Sequence, residues 1–195
     1  MNIDLYGKRA WVCGSTQGIG KAAAIELAEL GASVTLIARN EERLRTTLAD
    51  LNTERGQQHS FIAADFSKPE KLREALDGAG QDNGPVNILI NNTGGPPGGP
   101  AHKADIEEYR IAFNQHLICN QILVSTVLEG MKSSGYGRII NVISTSVKQP
   151  LDNLGVSNTI RGAVASWSKT LANELGQFGI MVNNVLPGAT NTGRL

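Results

Sequence analysis

Short apolar runs alternate with longer stretches of helical periodicity along the whole chain. Runs at 9–13, 33–38, 60–63, 87–91, 138–143 and 181–186 are rich in Val, Ile and Leu. Their apolar residues are continuous rather than alternating, as strands covered on both faces require. Between these runs the spacing predicts helices, the first over 21–30. Asn40 can cap a helix that runs through Leu44 and Leu48, and Ser67-Lys68-Pro69-Glu70 reads as a capping box with proline in the first turn. Asp105 opens a long helix reaching Met131, and another covers 153–178. The turn-rich run Gly94-Gly95-Pro96-Pro97-Gly98-Gly99-Pro100 reads as a loop leaving the fourth strand. Six β/α alternations without a repeat or linker predict one domain over residues 1–195. The expected fold class is α/β, a doubly wound parallel sheet with helices on both faces.

Composition narrows the functions. A chain of 195 residues suffices for one sizeable core. Its 18 Lys and Arg balance 18 Asp and Glu, so no basic footprint points to nucleic acid or an anionic membrane surface. Cys13 and Cys119 lie far apart without metal-ligand spacing. They read as buried small hydrophobes in a reducing compartment, with no metal site. Met1-Asn2-Ile3-Asp4 begins no signal peptide, and no apolar run approaches the roughly 18 residues of a membrane span. The expectation is a soluble, cytoplasmic protein with no nucleic-acid or membrane partner.

The candidate chemistry begins where the first strand turns into the first helix. Gly14, Gly18 and Gly20 in Cys-Gly-Ser-Thr-Gln-Gly-Ile-Gly allow a tight turn and close approach of a pyrophosphate. The helix N-terminus that follows offers unpaired N–H groups and a positive dipole end. Glycine in that pattern also serves turns that bind nothing, which leaves a purely structural protein as one alternative. At the end of the second strand, Leu36-Ile37-Ala38-Arg39-Asn40 holds no carboxylate for a ribose 2′-hydroxyl but one guanidinium suited to a 2′-phosphate. NADP is therefore expected over NAD, with a solvated surface arginine as the alternative. Asp65 either accepts from an adenine amino group or caps the next helix beside Ser67.

These residues carry a family resemblance. The Gly14–Gly20 turn resembles the TGxxxGIG motif of the short-chain dehydrogenases/reductases, and Asn91-Asn92-Thr93-Gly94 resembles their NNAG motif. Residues 137–144 resemble their fifth strand ending in the catalytic serine, and 182–188 with Thr192 resemble the sixth strand and its PG…T cofactor contact. The likeness is greatest to members of the 3-oxoacyl-acyl-carrier-protein reductase type, and STSVKQP…SNTIR resembles a divergent subgroup. The resemblance implies a Rossmann fold and hydride transfer between a nicotinamide and a carbonyl carbon. It implies a small-molecule carbonyl or acyl thioester substrate, a place in fatty acid biosynthesis, and a homodimer or homotetramer. The cofactor contacts it implies are Gly14, Ser15, Thr16, Gln17, Gly18, Ile19 and Gly20, then Arg39, Asp65 and Phe66. Asn92, Thr93, Gly94, Arg161, Pro187, Gly188 and Thr192 complete the set.

The catalytic end departs from the family pattern. Alignment of the fifth strand and the next helix puts Ser144 at the serine position, Ser157 where tyrosine belongs and Arg161 where lysine belongs. His116 falls at the asparagine position of the long helix, with Asn114 two residues earlier as an alternative register. A phenol of pKa about 10 can be drawn toward neutrality by a nearby cation, whereas an aliphatic hydroxyl is a far weaker and shorter acid. Arg161 keeps the positive charge but exchanges no proton at physiological pH. Loss of general acid catalysis costs roughly 10²–10⁴ in rate, about 3–5 kcal/mol. His116, which titrates in the right range, and Lys148, four residues after Ser144, are the substitute donors to consider. Each has an ordinary alternative, as a core histidine and a surface lysine. Tyr109 and Tyr136 are poorly placed. The substrate segment, helix and seventh strand of the family pattern are not found before Leu195. Two readings follow: an atypical NADP-dependent oxidoreductase, or a non-catalytic nucleotide-binding or scaffolding protein on the same frame.

Overall fold

Every strand pairs in parallel. The computed structural model describes residues 3–77 and 84–192. Its sheet contains β1 (Arg9–Cys13), β2 (Ser33–Ala38), β3 (Ser60–Ala63), β4 (Ile88–Asn91), β5 (Gly137–Val142) and β6 (Ile180–Val185), in the order β3-β2-β1-β4-β5-β6. The order reverses between β1 and β4, and the crevice above that switch point is where such sheets bind ligands. The expected doubly wound parallel sheet is present, and its last three strands start one residue away from the expected positions. Asn87 stays outside β4 because its side-chain oxygen accepts from the Arg9 N–H at 3.0 Å. Gly137 and Ile180 join because they pair with each other.

Side chains of alternate strand residues enter two cores. Trp11, Leu89 and Ile139 pack with Leu72 of α3 (Pro69–Asp77), Leu123 and Met131 of α5 (Cys119–Ser133), and Leu175 of α6 (Gly155–Leu175). Val12, Leu36 and Ile90 pack with Ala24 and Ala28 of α1 (Gly18–Glu29) and Leu44 of α2 (Glu41–Ala49). Helices thus cover both faces of the central strands, which carry unbroken apolar runs, whereas the edge strand β6 alternates buried and exposed residues. A polar ladder crosses the first core. Asn91, Asn141 and Asn184 sit in register on β4, β5 and β6. Asn91 donates to Asn141 at 2.8 Å, and Asn141 donates to Ser168 of α6 at 3.1 Å. The ladder ties together three strands whose C-terminal ends feed the loops of the site described below.

The helix signals were legible with two corrections. Asn40 caps α2 by accepting from the Arg43 N–H, and Glu41 and Glu42 complement the dipole in its first turn. The capping box at 67–70 does not form: α3 starts at Pro69, and the Ser67 hydroxyl donates instead to the Asp65 carboxylate at 2.8 Å. Ser67 lies before the helix, in a turn where its N–H and its hydroxyl both donate to that carboxylate. The long helix opens at Asp105, which accepts from the Glu107 N–H, but is not continuous. After α4 (Ile106–Phe113), a π-turn at Asn114–Ile118 precedes α5. That wider turn shifts the helical face by about one residue. Residues Ile106–Ser133 are also long and apolar enough to cross a membrane by length and composition, contrary to the expectation from the sequence. Here Leu123, Val124 and Met131 of that segment lie in the core.

Cys13 and Cys119 are fully buried thiols. Burial raises the Cys13 thiol far above its ordinary range and pushes Cys119 up to about 12. Neither should react with Ellman's reagent in the folded protein at pH 8, and both should react in denaturant. Rapid labelling of the native chain would contradict this packing.

Candidate cofactor and active site

The first helix begins without a cap. Gln17 occupies the position before α1 and makes no side-chain hydrogen bond there, and the first turn holds no acidic residue. Its leading N–H groups are available to an anion, and Gly18 and Ile19 line a cavity of about 750 Å³. The glycines are required by geometry. Gly14 has φ +58°, and a Cβ there would lie 2.6 Å from the Asn92 carbonyl oxygen. A Cβ on Gly20 would lie 2.2 Å from the Gly14 carbonyl oxygen. From the other side, the Asn92 amide donates to the Cys13 carbonyl at 3.2 Å. The turn is therefore pinned between its own helix and the end of β4, leaving no room for side chains but a clear approach for a diphosphate.

The cavity runs along the C-terminal edge of the sheet. At one end Ala38 of β2 and Arg39 just after it meet Ala64, Asp65 and Phe66 after β3. Asp65 lines the cavity, and one of its carboxylate oxygens accepts from the Ser67 N–H at 2.9 Å and from its hydroxyl, a turn before α3 rather than a cap on it. The Ser67 N–H, with lesser help from the hydroxyl and Arg39, holds the Asp65 carboxyl below the usual aspartate range. Arg39 is exposed at this end, open to a phosphate. Thr16, Gln17, Asn92, Thr93 and Gly94 line the middle, and Pro187, Gly188 and Thr192 close over it. The Thr192 methyl would lie 3.2 Å from a Cβ on Gly18, so the last described residues reach back to the first turn. Two residues assigned to the cofactor from sequence, Ser15 and Gly20, do not line the cavity. Ser15 is completely buried beneath the turn, and Gly20 is used in its packing.

At the other end lie Ser144, Ser157 and Arg161. Ser144 follows β5, and its hydroxyl accepts from the Ser146 N–H at 3.1 Å, so it also starts the short 3₁₀ turn Thr145–Val147. Ser157 and Arg161 lie one turn apart on α6, each 7% exposed. The Arg161 guanidinium donates to the Val142 carbonyl at 2.8 Å, which fixes a positive charge beside the end of β5.

Two expected donors fall outside this cavity. Lys148 is exposed, because the 3₁₀ turn carries the chain past the opening before residue 148 is reached. His116 is 2% exposed and does not line the cavity; the π-turn directs its neighbour Gln115 there instead. The His116 ring lies 2.7 Å from the Thr93 hydroxyl. Asn114 faces a separate open groove with Tyr109 and Phe113. Tyr136 lies between Lys8 and Arg138, at 4.4 and 4.1 Å, in the turn that leads into the start of β5 rather than near the site.

Sequence reasoning missed Gln115, Leu151 and Leu154, which line the same cavity. Leu154 is placed by a parallel bridge to Gly99, closed by hydrogen bonds from Gly99 N–H to Asn153 and from Gly155 N–H to Gly99. A Cβ on Gly155 would meet the Ala101 backbone at 2.3 Å. The glycine at the start of α6 was the available signal, but its partner is more than fifty residues earlier.

Comparison with known proteins agrees with this geometry. The pattern of the short chain dehydrogenases matches residues 8–195. The chain belongs to the short-chain dehydrogenase family. Among its relatives, a ketoacyl reductase named from the granaticin polyketide synthase of Streptomyces violaceoruber is 36% identical over 94% of this chain and 68% of its own length. An inactive hydroxysteroid dehydrogenase-like protein of Homo sapiens is 32% identical over 95% of this chain, which spans 56% of that relative. L-Sorbose reductase of Gluconobacter frateurii, solved with NADPH and L-sorbose, superposes with a TM-score of 0.93 at 30% identity. That superposition covers 100% of this chain and 74% of the reductase.

Gly14→Ala should cost at least about 1–2 kcal/mol from its left-handed backbone alone, before its clash with Asn92. We expect a lower melting temperature together with loss of any stabilisation by NADPH. A variant that melts and responds like the parent would show that the turn is not held as described.

Proposed function

We propose that the chain is an NADP-dependent oxidoreductase that delivers hydride to a carbonyl, of the 3-oxoacyl-acyl-carrier-protein reductase type, with an atypical catalytic set. The observation that carries this reading is one continuous cavity. It joins an uncapped helix N-terminus and Arg39 to Ser144, Ser157 and Arg161. The residues present fit the cofactor: Arg39 would meet the 2′-phosphate, Asp65 the adenine, and the amides of α1 the diphosphate. Bound NADPH would supply the hydride. Family relatives with NADPH in their structures support the choice of cofactor.

The chain's own groups orient the carbonyl. Ser144 can donate to its oxygen, and the buried Arg161 stabilises negative charge developing there, in a site partly shielded from water. Ser157 can take part in that hydrogen bonding but is a poor proton source. With Lys148 and His116 outside the cavity, no described side chain replaces the phenol as an acid. The reaction therefore relies on positioning and electrostatics, and runs slowly relative to a complete tyrosine–lysine set. The substrate is a small carbonyl compound or acyl thioester, its flank packed on Leu151 and Leu154. We place the protein in the cytoplasm, in fatty acid biosynthesis or kindred acyl chemistry. We assign it as a homodimer or homotetramer, for which the exposed Ile106, Ile111 and Phe113 on α4 offer an apolar face.

The Ser157 and Arg161 replacements also favour a second reading: a nucleotide-binding or scaffolding protein without turnover. The inactive human relative shows that a family name alone does not guarantee activity.

NADPH oxidation measured across β-ketoacyl thioesters, quinones and aldehydes separates the two. The reductase reading expects turnover that Ser144→Ala lowers by roughly 10²-fold; cofactor binding without turnover on any substrate selects the scaffold. Ser157→Tyr combined with Arg161→Lys should raise kcat, because it restores an acid of tunable pKa. NADPH at 100 times its dissociation constant should stabilise the fold by about 2.7 kcal/mol. NADH at the same concentration should give less, and an equal effect would remove Arg39 from the 2′-phosphate.

A further inference from the structure

The resemblance counts Thr93 among the cofactor contacts without a role for its hydroxyl, and that hydroxyl pairs with the His116 imidazole. Thr93 lines the cavity just beyond β4, whereas His116 is 2% exposed behind it, with ring Nδ1 2.7 Å from Thr93 Oγ1. We propose that Thr93 is a cofactor-seating residue that hydrogen-bonds the ribose on the nicotinamide side, and that His116 is the positioning residue that aims its hydroxyl. The proposal rests on the NADP reading and on three observations.

The first is the order of loops along the cavity. Strands lie about 4.8 Å apart. A dinucleotide whose adenosine lies at Arg39 and Asp65, above β2 and β3, and whose diphosphate lies at the β1–α1 turn must next cross the end of β4. The group that falls there, before Ser144 on β5, is the second ribose. Its hydroxyls need a polar partner, and Thr93 presents the side-chain hydroxyl on this loop between Asn92 and Gly94.

The second is the state of that hydroxyl. A threonine hydroxyl has one donor and two acceptor sites. Whichever tautomer His116 adopts, the ring uses one of them and stops the hydroxyl from rotating. If the ring accepts, the lone pairs of Thr93 remain for a ribose O–H; if the ring donates, the hydroxyl proton remains for a ribose oxygen. A pre-oriented partner binds with less loss of conformational freedom than a mobile one.

The third is the π-turn. It places Gln115 in the cavity and His116 behind Thr93 in consecutive positions. A regular helix through 106–133 would bring successive residues about 100° apart around the axis, and the inserted residue changes which of them face β4. The interruption thus has an identifiable result: a buried imidazole against the loop of β4.

Calorimetry with two ligands tests the pair. NADPH spans the whole cavity, whereas adenosine 2′,5′-bisphosphate covers only the Arg39 and Asp65 end. Thr93→Val should weaken NADPH binding roughly five- to tenfold, the size of one lost hydrogen bond, and leave the bisphosphate unchanged. Thr93→Ser should retain parental affinity. His116→Leu should weaken NADPH alone, His116→Asn should restore much of the loss, and Thr93→Val with His116→Leu should be no weaker than Thr93→Val. Parental NADPH affinity in Thr93→Val, equal losses for both ligands, or losses that multiply in the double variant would overturn the proposal. Should His116→Leu not fold, the valine and serine variants at 93 decide it. A parent chain that binds the bisphosphate but not NADPH would sink the pair alone, whereas one that binds neither would sink the NADP reading as well.

Discussion

The close approach of three backbones at the β1–α1 turn is the constraint on which the site depends. Gly14, Gly20 and the Asn92 carbonyl occupy positions where one added methyl would overlap a main-chain oxygen. That contact brings the end of β4 against the first helix and keeps the helix amides facing outward. Those N–H groups are an electrostatic asset only because nothing else satisfies them. Gln17 makes no cap, and no acidic side chain enters the first turn. An anion completes the helix, so the fold holds a binding energy that the polypeptide does not consume itself.

The parallel sheet converts that local feature into an extended site. All six strands end on one edge, so the loops after β1 to β6 supply consecutive parts of one cavity. The Asn91–Asn141–Asn184 ladder sits one to three residues before the loops that carry Asn92, Ser144 and Pro187. Buried amides cost stability unless paired, and pairing across neighbouring strands fixes their relative register. Within this frame, Ser157 and Arg161 line the cavity without closing it. Arg161 keeps a charge at the lysine position by reaching the Val142 carbonyl. Ser157 leaves space where a phenol would stand. On the proposed reading, the site can bind and polarise a carbonyl, and the described residues around it offer no strong acid to protonate it.

Most strands were legible because burial on both faces imprints continuous Val, Ile and Leu runs, and α2 and α4 were legible because Asn40 and Asp105 cap them. The 67–70 segment misled because Ser67 is held in a turn by the Asp65 carboxylate, and α3 starts only at Pro69. The glycine turn, Arg39 and the Ser144–Ser157–Arg161 set could be placed from spacing, since each lies at a strand end or on one helical face. His116 and Lys148 could not. A periodic pattern assumes a regular helix after 105 and an extended exit after 144, and the chain instead makes a π-turn and a 3₁₀ turn.

By itself, then, the amino-acid order determined the α/β alternation, the anion-ready turn and the absence of tyrosine and lysine at 157 and 161, because these are properties of near neighbours and of repeating periods. Tertiary structure decided which polar groups share a space. It set Thr93 against His116, moved Gln115 into the cavity and bound Gly99 to Leu154 beside it. Those contacts join residues more than twenty positions apart. Their distances follow from how sheet, helices and loops pack together, which no local pattern encodes.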